Sequence, residues 1–76
     1  MILTEHDIEL RVAHISGTNI RRNNLRKELK NKSNKIVNER IDEIKGRIRD
    51  LRAWGAKEET LRFWYSEITQ YEMKLL

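Results

Sequence analysis

Residues 41–68 read IDEIKGRIRDLRAWGAKEETLRFWYSEI, and the fold turns on what happens in the middle of that stretch. Upstream of the turn, Val37, Ile41, Ile44, Ile48 and Leu51 are spaced 4, 3, 4, 3, the seam of a helix packed along one side. Downstream, Leu61, Trp64, Ile68, Tyr71 and Leu75 are spaced 3, 4, 3, 4. Between the seams lies AWGAKEE, in which Gly55 is suited to the left-handed residue that ends a helix. Two seams of nearly equal length about a short turn predict an antiparallel helical hairpin, with arms near 36–54 and 57–75. Glu43, four residues before Arg47, is in the favourable order for an ion pair along the first arm.

Working back from the hairpin, the pattern weakens. Leu25 and Leu29 are one turn apart and Ile36 continues their line, but Lys32 stands between them. Asparagine recurs at 19, 23, 24, 31 and 34, with Ser33 beside it; Asn and Ser compete for backbone hydrogen bonds and favour caps and turns. The sequence therefore predicts a helical segment over 19–31 and a break within NKSNK, residues 31–35. Nearer the start, Thr4 and Asp7 match a capping box, and Ile8, Val12 and Ile15 make one apolar stripe. A short helix over 4–16 follows, with Gly17 as its stop. Its stripe is expected to complete the core of a hairpin that would be marginal alone.

The remaining composition agrees. The 76 residues contain no proline, no cysteine and three glycines, which favours helix and suits one domain spanning 1–76. Without cysteine there are no disulfides, thiolate zinc sites or cysteine nucleophiles. No apolar run approaches a membrane span, and the charged residues soon after Met1 lead to the expectation of no secretory leader. A soluble, cytoplasmic, all-α protein is the expectation, as a monomer or a weak homodimer through its seams.

Charge is unevenly placed. Ile20–Lys35 holds seven Lys or Arg against Glu28 alone, +6 locally in a chain of net charge +4. Arg21, Arg22, Arg26, Lys27 and Lys30 are the candidates for contact with DNA or RNA phosphates, because Lys and Arg displace condensed counterions and Arg adds bidentate geometry. Set against this is a plainer reading, a solvated and imperfect helix, since these residues spread around most of a helical wheel. VAHISGTNIRRNNLRK is helix-turn-helix-like, with Ala13 four residues before Gly17, but Asn23 falls where such motifs need a buried aliphatic.

Trp64 and Tyr71 belong to the seam. Phe63 and Tyr65 flank it and read as further core, covered by the N-terminal helix; the other readings are a docking surface or a stacking platform for bases. Trp54 beside Gly55 reads as a staple across the turn, or else as an exposed interface anchor. Trp54, Phe63 and Tyr65 are thus the candidates for a protein-interaction face. Catalysis has little to work with. His6 and His14 are the only histidines, no carboxylates stand at metal-ligand spacing from them, and there is no Gly-rich phosphate loop. No enzyme, metal or cofactor is expected.

Proline-free, cysteine-free, rich in Lys, Asn and Ile, and carrying the hairpin segment 41–68, the chain resembles the small helical proteins of large bacteriophage genomes. It resembles in particular those encoded beside the recombination helicase UvsW in T4-type phages. That resemblance implies a place in phage DNA recombination, repair and replication, inside the host cell, without helicase motifs and without assigning any residue. The reading from sequence is a small non-enzymatic accessory protein contacting nucleic acid or a nucleoprotein partner. The alternative is a protein-interaction module whose hairpin docks a partner protein and binds no nucleic acid.

Overall fold

A computed structural model describes residues 1–15 and 17–76. Among the described residues three helices make up the fold: α1 (Glu5–Ala13), α2 (Asn19–Ala53) and α3 (Glu58–Glu72). It is all-α, and it is long rather than round, with principal extents of 56 × 16 × 14 Å. The spine is α2, whose 35 residues rise about 52 Å at 1.5 Å each. Both α1 and α3 pack on α2, and they share no contact with each other.

The hairpin forms as its seams require. Val37, Ile41, Ile44, Ile48 and Ile68 are buried together, with Leu61, Trp64 and Tyr71 packed half-buried against them. The turn is a Schellman motif: Gly55 N–H donates to the Arg52 carbonyl at 3.1 Å and Ala56 N–H to the Leu51 carbonyl at 2.9 Å. Gly55 has φ +76°, a conformation that a side chain at this position would strain. The second arm is shorter than its seam suggested, ending at Glu72. Leu75 is exposed, and the chain turns so that Leu76 reaches the middle of α2. There Leu76 N–H donates to Asn34 Oδ1 (2.8 Å) and Asn34 Nδ2 donates to the Leu76 carbonyl (3.0 Å).

The expected break at 31–35 is absent; α2 runs straight through it. Ser33 explains why. It is fully buried, and its hydroxyl accepts from Leu3 N–H at 2.8 Å and donates to the Leu3 carbonyl at 3.4 Å. The side chain expected to break the helix is used instead to tether the extended segment before α1. Ser33→Ala removes the partner of a buried amide and is expected to cost about 1–3 kcal/mol. In a thermal melt that is a fall of roughly 5–20 °C in Tm.

The stripe that Ser33 joins also decides the architecture. Leu25, Leu29, Ser33 and Val37 step by four, and at about 100° per residue this turns the buried line by about 120° around α2. From Val37 to Ile48 the alternating steps turn it by only about 20°. So α2 presents one face to α1 in its first half and another to α3 in its second. Ile8, Val12, Leu3 and Leu29 form a cluster of their own, flanked by Leu25 and Leu76. The N-terminal helix therefore covers the basic stretch of α2 rather than the hairpin seam. The N-terminal segment links the clusters, since Ile2 packs on one and Leu3 on the other.

The capping box holds at the start of α1: Asp7 N–H donates to Thr4 Oγ1 (3.2 Å) and Thr4 N–H to Asp7 Oδ2 (3.1 Å). The helix ends sooner than expected, with His14 as its C-cap and Gly17, φ +151°, three residues further on. Ile15 is half-buried beyond the helix. Ser16, within the expected helix and the helix-turn-helix-like turn, lies outside the described residues.

Candidate nucleic-acid interface

The five basic residues singled out in sequence are on one helix but not on one face. At about 100° per residue, Arg21, Arg22, Arg26, Lys27 and Lys30 span about 240° of α2's circumference. Arg22 lies beside the line that α1 covers; it is half-buried, and among the described residues its Nε is inaccessible without a hydrogen-bond partner. Arg26 is engaged within the chain. Its Nε and Nη2 grip the two oxygens of Glu9 at 2.8 and 3.1 Å, and Nη1 donates to Asn23 Oδ1 at 2.8 Å. Lys30 is half-buried, while Arg21 and Lys27 are exposed. Asn23, where a helix-turn-helix needs an aliphatic anchor, is exposed.

The Arg26 grip holds the Glu9 carboxyl below its ordinary range, mainly through the side-chain hydrogen bond, and raises the Arg26 guanidinium in turn. Asp7 is lowered as well, first by the Thr4 backbone amide and then by the Thr4 hydroxyl. Both carboxyls have depressed values in the folded state. The stabilisation they give α1 is therefore present above the ordinary carboxyl value near pH 4 and is lost as pH falls through the lowered values. The protection of α1 amides against exchange, taken relative to their intrinsic rates, is expected to fall on acidification before that of the hairpin does. Glu9→Gln should remove part of that pH dependence.

A better-formed basic face lies further round α2, mostly away from α1, with Lys35 at its edge on a groove shared with Met1, Leu3 and Arg11. Lys27, Lys35, Lys45, Arg49 and Arg52 are all exposed and fall within about 100° of the circumference. They stretch over about 38 Å of helix at 1.5 Å per residue. Asn24, Asn31 and Asn38, also exposed, stand between them at heptad spacing, and Asp42 is the one acid on the strip. Among the described residues the ion pairs within 4 Å are Arg26–Glu9, Lys32–Glu28 and Arg40–Glu43, so no carboxylate pairs with any of the five. Sequence reading missed this face because its members lie on both sides of the anticipated break. The signal was present as a heptad of asparagines with interleaved lysines, visible once 19–53 is taken as one helix.

The hairpin flanks carry the aromatic residues. Trp64 and Tyr71 are half-buried on the seam, but Phe63 is 57% exposed, Tyr65 42% and Trp54 84%. Phe63 and Tyr65 are therefore not core, because α1 lies along the other half of α2 and does not reach them. Trp54 does not staple the turn. Phe63 meets Trp64 edge-on with centroids 5.3 Å apart, and the Arg47 guanidinium sits 5.6 Å from the Trp64 ring centroid. The anticipated Glu43–Arg47 pair does not form: Arg47 covers Trp64, and Glu43 pairs with Arg40 at 3.3 Å. On the opposite flank, Arg52 donates to the Tyr65 hydroxyl and lies 5.5 Å from its ring centroid.

Among the described residues no group of three or more His, Cys, Asp or Glu is placed to hold a metal ion, and no helix is long and apolar enough to cross a membrane. Comparison with protein-family models, with curated proteins and with solved structures finds no match to this chain.

Proposed function

We propose that the chain is a small non-enzymatic accessory protein that binds nucleic acid along the outer face of α2. The observation that carries this reading is the strip of Lys27, Lys35, Lys45, Arg49 and Arg52, exposed, without carboxylate partners, and tracking one side of a long rigid helix. Fixed positive charges along a line suit a polyanion whose charges also lie along a line. Of the basic residues singled out in sequence, Lys27 belongs to the strip. Arg21 and Lys30 flank it and add to the field, Arg22 is partly enclosed, and Arg26 is neutralised by Glu9. The phosphate backbone supplies the affinity. The exposed asparagines can donate to and accept from phosphates or base edges. Resemblance to phage proteins encoded beside UvsW supports a role in phage DNA recombination or repair.

Binding measured over a range of salt concentrations tests this. Five neutralised phosphates predict a log–log slope of about −4.5 on duplex and about −3.5 on single strands. A second reading is favoured by the exposure of Trp54 and Phe63, 84% and 57%: a hairpin end that docks a partner protein. That reading predicts no nucleic-acid affinity at low salt and a partner interaction lost on replacing Trp54 or Phe63.

A further inference from the structure

Two grooves run along the seam between α2 and α3, one on each flank, and they differ in chemistry. The first, about 280 Å³, is lined by Arg40, Glu43, Ile44, Arg47, Trp64, Glu67 and Tyr71. An anion entering it meets two carboxylates, Glu43 and Glu67. The second, about 440 Å³, is lined by Lys45, Ile48, Arg49, Arg52, Tyr65 and Ile68. It has no carboxylate in its lining and three cations. Its floor is apolar, formed by Ile48 and Ile68, which are 5% and 8% exposed.

We propose that this second groove, beside Tyr65, takes one unpaired nucleobase while Lys45 and Arg49 hold the adjoining phosphates. The proposal rests on the reading that α2 binds nucleic acid, and it adds a strand preference to it. Lys45, Arg49 and Arg52 are both the groove's wall and the last three cations of the strip, so a strand following the strip arrives at the groove's mouth. The Tyr65 ring is half-exposed, and Arg52, which donates to its hydroxyl and lies 5.5 Å from its centroid, leaves a base the exposed part of the ring or the guanidinium plane to stack on. A guanidinium plane is itself a surface on which bases stack. A paired base within a duplex has its faces covered by its neighbours and cannot enter. Single-stranded nucleic acid, or an unpaired base at a junction or end, can. Tyr65 is here a base-stacking residue, Lys45 and Arg49 are phosphate contacts, and Arg52 positions the ring.

The test uses the full chain with two probes, an oligothymidylate of roughly 12 nucleotides, within the usual span of a small single-strand site, and a blunt duplex with the same number of phosphates per strand. Tyr65→Ala is expected to weaken oligothymidylate binding by about 5–100-fold, the usual worth of one stacked base, and to leave duplex binding nearly unchanged. Tyr65→Phe keeps the ring and should retain most of the single-strand affinity. Ultraviolet cross-linking to oligothymidylate, mapped by peptide mass, should place the adduct on Tyr65. If Tyr65→Ala leaves both probes unaffected, or weakens both equally, the groove holds no base while the phosphate-binding strip still stands. If neither probe binds at low salt, the strip itself is not a nucleic-acid site and the groove proposal falls with it.

Discussion

Ile48→Ala is expected to cost about 2–5 kcal/mol, from the methylenes removed and the cavity left behind. Ile48 is 5% exposed in the hairpin cluster. A chain of this size has only about 4–11 kcal/mol of stability in total. The variant should therefore sit near the edge of unfolding at 25 °C, with Tm lowered by roughly 10–30 °C. Ile8→Ala removes a side chain just as deeply buried, at 1% exposure, yet its consequences should be local. Because α1 and α3 do not touch, loss of the α1 cluster leaves the hairpin seam intact. Hydrogen exchange should then show α1 and the first half of α2 opening while residues on the seam stay protected. Global loss of protection in Ile8→Ala would mean that the two clusters are one cooperative unit, against the separation seen in the packing.

Reversing two charges on the strip, Lys45→Glu with Arg49→Glu, is the second large effect. Removing two phosphate contacts should flatten the duplex salt slope by about 2. If the electrostatic part of binding vanishes near 1 M salt, affinity at 0.1 M should fall on the order of 50–100-fold. Neither side chain is buried, so helicity and Tm should change little. Arg26→Gln is the informative contrast. It removes a positive charge from the densest basic stretch of the sequence, but one already paired with Glu9. It should loosen α1 and leave the salt slope almost unchanged. A slope that depends on Arg26 and not on Lys45 or Arg49 would move the binding face to the α1 side of the helix.

The hairpin was legible because its information is local. Alternating steps of four and three around Gly55 are the physical cause of the seam, and they are visible without tertiary contacts. The continuity of α2 was not legible, because Ser33 and Asn34 have roles that lie elsewhere in the chain. Ser33 bonds to Leu3, thirty residues away, and Asn34 to Leu76, forty-two residues away. Intrinsic preference places both residue types in turns, and tertiary hydrogen bonds override it. The same uncertainty hid the candidate site. With a break at 31–35, Lys27 and Lys45 belong to different elements and share no face. Local charge density then points to Arg21, Arg22 and Arg26, which the structure distributes among a flank, a partly enclosed position and an ion pair. The aromatics were misjudged for a related reason. Phe63 and Tyr65 could be core only if α1 lay over the hairpin, and the turning of the apolar stripe between Leu25 and Val37 puts α1 on the other half of the spine.

The most direct measurement is a titration of isotope-labelled protein with oligothymidylate at low salt, followed by two-dimensional nuclear magnetic resonance. Binding along the outer face of α2 predicts shifts at Lys27, Lys35, Lys45, Arg49 and Arg52, with the largest change at Tyr65 and Ile68, all fading as salt is raised. An absence of shifts at low salt, or shifts confined to Arg21, Arg22 and the α1 face, would contradict it.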